Sequence, residues 1–398
     1  MEKMRFRKKL VFSLSVLITV IAILEIFLRV TCLVFPKEIY HIFPNHPEHD
    51  RKGFRNEFVP VTADIVAFGD SQTYGTGAPR DKAWPRQLAD MAKLQVYSIA
   101  QGGYGPVHSL LLFEEAKTFK PKLIIEAFYA GNDLYDSYSI VYYEGKCSEL
   151  KSNDKQLFDS IQSLEKDEPL KNKINQLFSM EDNKGKGKIN YITRFKLFLS
   201  KNSKLYIFLS FYKETIERFL SLNLYDWGNV KLDAMKHIKF TEIFESKNFR
   251  TVFTPAYRLS ALNLGDSRIS EGFSISLKAL KMLANRSEEA NIQFVVLLIP
   301  TKELVFSGSV VNLENFSQKY RNLIENEKKF WLKTKTFLKN QNIYFIDALP
   351  ALRKCIQENN QPYKITTDGH PSEEGHRFIV KEILDYLNRI KLVNISGS

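Results

Sequence analysis

Five short apolar stretches that each run directly into a polar turn constrain the fold of this chain most strongly. We predict strands at residues 63–70, 96–100, 122–130, 291–300 and 343–348. Helix-like segments near 269–290 and 320–338 and after Pro371 alternate with the later strands. Strands that are apolar throughout and alternate with amphipathic helices are typical of a parallel sheet with both faces covered. The sequence therefore predicts an α/β fold.

Three of these strands end in turns that contain Gly69-Asp70-Ser71, Gln101 to Gly105, and Gly131-Asn132-Asp133. The carboxyl ends of parallel strands meet at one end of the sheet, where sites form. Ser71 directly follows its strand, which exposes the hydroxyl. A serine is a weak nucleophile until a base removes its proton, so the chain must supply a base.

The candidate bases come from seven histidines, three of them before residue 61. His108, after the glycine turn, is a local rival, and His376 is expected on the surface of the closing helix. His370 lies in a polar loop between the last strand and that helix. Asp368, two positions earlier, is a candidate to hold the His370 ring.

Together these turns resemble the sequence blocks of the SGNH (GDSL-type) hydrolases, a family of esterases. The resemblance covers residues 62–133 and about 290–390. It implies a three-layer α/β/α flavodoxin-like sandwich with a parallel sheet. The triplet Gly-Asp-Ser, rather than Gly-x-Ser-x-Gly, argues against the α/β-hydrolase fold.

The resemblance also implies the roles of the site residues. Ser71 is the expected nucleophile, His370 the base and Asp368 its orienting partner. The N–H groups of Ser71 and Gly103 and the amide of Asn132 are the expected oxyanion hole, which holds the negative charge that forms on attack. No metal and no cofactor is expected.

Two positions depart from the family pattern. Ala130 stands where the family usually has glycine, and Asp368 precedes His370 by two positions instead of three. The shorter step changes the angle between carboxylate and ring. Either Asp368 or a main-chain carbonyl therefore orients the imidazole.

The triplet Gly-Asp-Ser occurs a second time, at residues 265–267. This copy follows no apolar strand, no glycine turn comes after it, and an amphipathic segment begins there. Asp266 or Ser267 is therefore predicted to cap a helix.

The N-terminus begins with a basic segment, residues 1–9, followed by an apolar stretch over 10–35. A membrane span needs roughly 20 residues, so we predict a transmembrane helix in which Glu25 and Arg29 pair. A cleaved signal peptide is the alternative, but no small-x-small cleavage site follows. The basic flank stays in the cytoplasm, which predicts a periplasmic or extracellular domain. Residues 36–61 are interpreted as an extended stalk.

The domain proper is predicted at 62–398, with an insertion at 134–265 that is helical or forms a lid. Lysines in the apolar part of the insertion argue against a second span. Asp133 and Asp136 are interpreted as solvated or capping rather than metal-binding. Cys147 and Cys355 are either free thiols or a disulfide.

The net charge of +12 indicates either affinity for an anionic surface or, as the favoured interpretation, a generally lysine-rich proteome without a specific anionic partner. The sequence has no nucleic-acid-binding motif, so nucleic acid is not an expected partner. The expected function is a membrane-anchored serine esterase that hydrolyses O-acyl esters, such as O-acetyl, on a glycan or lipid. An O-acyltransferase for cell-surface polysaccharide and a non-catalytic glycan-binding envelope protein are the alternatives. The oligomeric state is left open.

Overall fold

The computed structural model of the protein describes residues 2–34, 48–181, 226–310 and 313–391, together with 199, 203–206 and 209. The chain divides into two compact units. One contains residues 1–59 and 186–224, and the other contains residues 60–185 and 225–398. Much of the apolar part of the predicted insertion lies outside the described residues.

In the first unit, helix α1 runs from Glu2 to Val34. Its stretch Phe12–Val30 is long and apolar enough to cross a membrane, a property that signal sequences share. The predicted pair is confirmed, because Arg29 Nε lies 2.8 Å from Glu25 Oε1. Glu25 also accepts hydrogen bonds from the Ser203 hydroxyl and from the N–H groups of residues 204 and 205. These bonds tie the two sequence segments of this unit together.

The described part of the predicted stalk is a hydrogen-bonded turn rather than an extended chain. Asp50 Oδ1 accepts from the Lys52 N–H at 2.8 Å. The buried Arg55 guanidinium lies 2.7 Å from Glu48. A carboxylate that bonds to main-chain N–H groups a few residues later favours such a turn. Residues 36–47 lie outside the described residues.

The second unit is built on a five-stranded parallel sheet. In chain order the strands are β1 (Ile65–Gly69), β2 (Val96–Ala100), β3 (Leu123–Tyr129), β4 (Glu242–Glu245), β5 (Arg250–Phe253), β6 (Gln293–Ile299) and β7 (Tyr344–Asp347). The main sheet has the order β2-β1-β3-β6-β7, and β4 and β5 form a separate antiparallel hairpin. Without the hairpin this is the 2-1-3-4-5 order of flavodoxin-like folds. The predicted fold class is confirmed.

Thirteen described helices accompany the strands in this unit. They are α2 (Ser71–Tyr74), α3 (Trp84–Ala92), α4 (Pro106–Thr118), α5 (Asp133–Tyr142), α6 (Lys155–Asp167), α7 (Leu170–Glu181), α8 (Trp227–Lys236), α9 (Pro255–Ala261), α10 (Ser267–Glu289), α11 (Lys302–Ser307), α12 (Gln318–Asn340), α13 (Ala348–Gln357) and α14 (Glu373–Arg389).

The helices form the two outer layers of the fold. On one face α14 packs against α3 and α13. On the other, α4, α5 and α10 pack together, and α10 meets α12 where the rings of Phe273 and Phe330 lie 5.2 Å apart. Every residue of β1, β2 and β3 is buried. Burial of one large apolar side chain stabilises the fold by about 1.5–3 kcal/mol. These fully buried strands therefore form the stable centre of the sheet.

The predicted insertion is only partly helical. Helices α6 to α9 are interrupted by the β4–β5 hairpin, which we did not predict. Its strands are four residues long, and three of their eight residues are charged, so they lack the apolar pattern of the central strands. Cys147 and Cys355 are both free thiols.

Candidate active site

The turn after β1 presents Ser71 at the carboxyl end of the sheet. Gly69 has a φ of +145°, and a side chain there would collide with the Thr73 hydroxyl. Asp70 is the N-cap of α2, and its Oδ1 accepts from the Gln72 N–H at 2.8 Å. Ser71 is therefore the first residue of a short helix that starts immediately after the strand.

Ser71, His370 and Asp368 form one chain of hydrogen bonds. His370 Nε2 lies 2.8 Å from Ser71 Oγ. His370 Nδ1 lies 2.6 Å from Asp368 Oδ1, which also accepts from the His370 main-chain N–H at 3.0 Å. The shortened Asp-x-His step thus brings the carboxylate, rather than a main-chain carbonyl, onto the ring.

The electrostatics of Asp368 keep it ionised. Burial acts to raise its pKa, but the hydrogen bonds and charge of His370, with help from Lys364, hold the pKa well below its ordinary value. Lys364 Nζ lies 3.8 Å from Asp368 Oδ2. An ionised carboxylate on Nδ1 favours the tautomer in which Nδ1 carries the proton and Nε2 is an acceptor.

The turn that follows α2 packs directly against the His370 loop. A Cβ added to Gly77 would lie 3.0 Å from the His370 Cβ and would collide with the Pro371 carbonyl. Pro371 also forms an isolated bridge with Tyr363. The His370 loop therefore contacts main chain at Gly77 and at Tyr363.

The expected oxyanion donors make no hydrogen bond to the triad in the part of the chain that the structure describes. Gly103 is exposed in its turn with a φ of +80°. Asn132 Nδ2 donates to Asp136 Oδ2 at 2.5 Å. Asn132 also lies close enough to Asp70 to lower the pKa of that carboxyl through a hydrogen bond. This contact brings Asn132 beside the residue that precedes Ser71.

A cluster of buried carboxyl groups lies behind Ser71. Burial raises the pKa values of Asp70, Asp133 and Asp136. Burial also raises the pKa of Glu126 to about 8. Of the two interpretations of Asp133, solvated or capping, the solvated one is wrong, because Asp133 is fully buried and its Oδ2 accepts from the Tyr129 N–H at 2.8 Å. The first Gly-Asp-Ser turn therefore lies in an environment that disfavours negative charge.

His108 and His376, the two other histidines considered in the sequence, have structural roles. His108 Nδ1 accepts from the Gly105 N–H at 3.2 Å at the start of α4, and its ring stacks on Tyr104. Burial lowers the pKa of His108 to about 4. The prediction that His376 lies on a helix surface is wrong. It is fully buried, because α14 packs between α3 and α13.

Sequence reasoning missed three residues near the triad. Asp70 lies 3.3 Å from Ser71 Oγ and was interpreted only as part of the turn. Lys302 is fully buried and donates to the Asp368 carbonyl at 3.1 Å. Arg258 donates to the Gly131 carbonyl at 3.4 Å. The one available signal was the position of Lys302, just after the most apolar strand.

No protein-family model matches the sequence, and no curated protein matches it. Twenty solved chains match. One is described as a lipolytic protein of the G-D-S-L family from Desulfitobacterium hafniense DCB-2, with 14% identity, a TM-score of 0.32, and coverage of 80% of this chain and 96% of that one.

Two further matches have similar coverage. An acetylxylan esterase from Geobacillus stearothermophilus has 10% identity and a TM-score of 0.33, over 82% of this chain and 95% of that one. An α/β hydrolase enzyme from the metagenome of Lake Arreo, Spain, has 9% identity and a TM-score of 0.35, over 83% and 97%. The chain is similar to these proteins over most of their length.

Proposed function

We propose that this protein is an SGNH-type serine ester hydrolase. The observation that carries the proposal is the pair of hydrogen bonds, 2.6 Å and 2.8 Å long, that links Asp368 to His370 and His370 to Ser71. Bonds of this length let a base take the hydroxyl proton as the oxygen attacks. The location at the carboxyl end of a doubly wound sheet supports the same reaction.

In the proposed reaction Ser71 Oγ attacks the ester carbonyl while His370 Nε2 takes its proton. Asp368 stabilises the imidazolium that forms. His370 then gives the proton to the leaving alcohol, and a water molecule, activated by the same ring, releases the acyl group from Ser71. In that last step His370 takes a proton from the water and returns it to Ser71 Oγ, so the ring ends the cycle neutral.

The proposed oxyanion hole consists of the N–H groups of Ser71 and Gly103 and the amide of Asn132. Removal of one such donor typically lowers kcat by about 10²–10³. The Asn132 amide donates to Asp136 in the resting enzyme. We propose that it turns from Asp136 to the oxyanion when the substrate carbonyl is attacked.

We propose that the substrate is an O-acyl ester of a glycan or lipid and that α1 anchors the enzyme outside the cytoplasm. The length and apolar composition of Phe12–Val30 support the anchor.

The test is labelling of the full chain in detergent with a fluorophosphonate probe, together with hydrolysis of p-nitrophenyl acetate. We expect Ser71→Ala to abolish both, because the nucleophile is removed. The matched control is Ser267→Ala, in the second Gly-Asp-Ser triplet, which should retain both. Equal labelling of Ser71→Ala and the parent chain would refute the proposal. If acyl transfer to an added oligosaccharide outruns hydrolysis, the enzyme is an acyltransferase.

A further inference from the structure

We infer that Lys302 is a positioning residue for the Asp368–His370 pair and that the end of the insertion, residues 250–258, forms part of the active-site framework. This inference rests on the proposed function above. It assigns the β4–β5 hairpin and α9 to the framework of the active site rather than to a separate lid.

The Lys302 side chain is fully buried at the start of α11. Its Nζ donates to the carbonyls of Val252 at 2.7 Å, Thr366 at 2.8 Å and Asp368 at 3.1 Å. An ammonium has three donors, and a buried charge is costly unless its donors are satisfied. The ammonium therefore holds the three carbonyls in one arrangement. Two of these carbonyls belong to the loop that leads from residue 361 to His370, which we call the triad loop, and the third belongs to β5.

The triad loop and β5 are joined by two more side-chain bonds. Thr251 Oγ1 donates to the Lys364 carbonyl at 2.9 Å. Gln361 Nε2 donates to the Arg250 carbonyl at 3.0 Å. The bonds to consecutive residues 250, 251 and 252 brace the loop along its course from 361 to 368.

Arg258, in α9, reaches the same loop from another direction. A Cβ added to Gly369 would lie 2.5 Å from Arg258 Nη2, so the glycine leaves room for the guanidinium. The same side chain donates to the carbonyl of Gly131, next to Asn132. One insertion residue thus contacts both the triad loop and the Asn132 turn.

The bracing matters because of the short Asp-x-His step. Asp368 Oδ1 binds both the main-chain N–H and the Nδ1 of His370, so the carboxylate direction follows the backbone between these residues. Lys302 holds the Asp368 carbonyl, which belongs to the first peptide of that step. A misplacement of about 1 Å in a catalytic group can lower the rate about 10²-fold.

The test compares Lys302→Met with Lys278→Met in the full chain. Lys278 is the control, since its Nζ donates to the carbonyls of Leu150 at 2.8 Å and Lys151 at 3.5 Å, which lie outside the triad loop. We expect Lys302→Met to lower kcat for p-nitrophenyl acetate about 10²-fold at unchanged KM. Lys278→Met should retain kcat. A Lys302→Met enzyme with the parent kcat would overturn the inference while leaving the hydrolase intact.

A second readout does not need turnover. The proton between His370 Nδ1 and Asp368 should give a low-field ¹H NMR resonance in the parent chain and in Lys278→Met, and lose it in Lys302→Met. If the parent chain hydrolyses no ester, the proposed function fails, and this resonance alone decides the inference. A resonance that survives in Lys302→Met would refute it.

Thr251→Val is a smaller change for the case in which Lys302→Met does not fold. It removes the bond to the Lys364 carbonyl and keeps the side-chain shape. We expect a several-fold lower kcat at constant KM. An unchanged kcat would count against the bracing.

Discussion

The two Gly-Asp-Ser triplets of this protein have the same local structure and different surroundings. In both, the aspartate is the N-cap and the serine is the first residue of a helix, α2 in one case and α10 in the other. Ser71 meets His370, whereas Ser267 lies 2.9 Å from the hydroxyl of Ser160. Capping and proposed nucleophile chemistry are therefore compatible roles for one turn.

The charge environment separates the two aspartates. Asp70 lies among other buried carboxyl groups, and burial raises its pKa. Burial also acts to raise the pKa of Asp266, but hydrogen bonds from Arg268 outweigh it and lower that pKa. The Arg268 guanidinium lies 2.8 Å from Asp266 Oδ2. The triplet alone therefore does not determine the role of either turn. The element that precedes the turn and the residue that its serine contacts from far along the chain determine it.

The largest effect is expected from a change at Asp368, which binds the His370 ring that contacts the first triplet. We expect Asp368→Asn to lower kcat about 10²–10⁴-fold, because an amide no longer fixes the reactive tautomer of His370. Steady-state hydrolysis of p-nitrophenyl acetate measures it. Asp266→Asn is the matched control and should leave kcat unchanged. If Asp368→Asn keeps the parent kcat, the first triplet does not depend on this carboxylate.

An intermediate effect concerns stability and pH. The folded pKa of Asp70 is raised, so its contribution to stability is full below the unfolded pKa of about 3.9 and is lost as pH rises through the folded value. The folded pKa of Asp266 is lowered, so its contribution is present above about 3.9 and is lost as pH falls through the folded value. The two aspartates thus have opposite pH dependence.

We therefore expect opposite results from two Asn variants, each of which can still cap its helix. At pH 7 Asp70→Asn should be as stable as the parent chain or more so. Asp266→Asn should be about 1–3 kcal/mol less stable, because the nearly buried Arg268 loses a charged partner. Urea unfolding followed by circular dichroism at pH 7 and pH 4 measures both. A stabilised Asp266→Asn at pH 7 would contradict this account.

The smallest expected effect concerns the second serine. Ser267→Ala removes the hydroxyl pair with Ser160, which joins α10 to α6. We expect a loss of about 0.5–1.5 kcal/mol in unfolding free energy. The same urea titration measures it. A larger loss would mean that Ser267 has a structural role beyond this contact.

The central strands were predictable because each is a continuous apolar run. The predicted strand at 96–100 has the observed bounds, and the strand predicted at 291–300 is observed as Gln293–Ile299. Burial on both faces of a sheet produces this pattern. The β4–β5 hairpin was not predictable in the same way, because its short strands contain three charged residues and no continuous apolar run, although Phe244, Val252 and Phe253 are buried.

The triad contacts followed from motif order and strand ends, but the residues that hold them did not. Lys302 contacts carbonyls 50 to 66 positions away in the chain. Every residue has the same main-chain carbonyl group. The sequence therefore does not indicate which carbonyls a lysine side chain will contact. The buried position of His376 was missed for a related reason, because helix packing rather than local polarity determined it.

The order of the elements along the chain has a consequence for biogenesis. Ser71 and His370 are 299 positions apart, and the His370 loop directly precedes the last described helix. During synthesis the serine turn emerges with the first strand, whereas His370 emerges only shortly before α14. Under the proposed mechanism a nascent or truncated chain carries Ser71 without its base, and reaction with a fluorophosphonate would report the completion of folding.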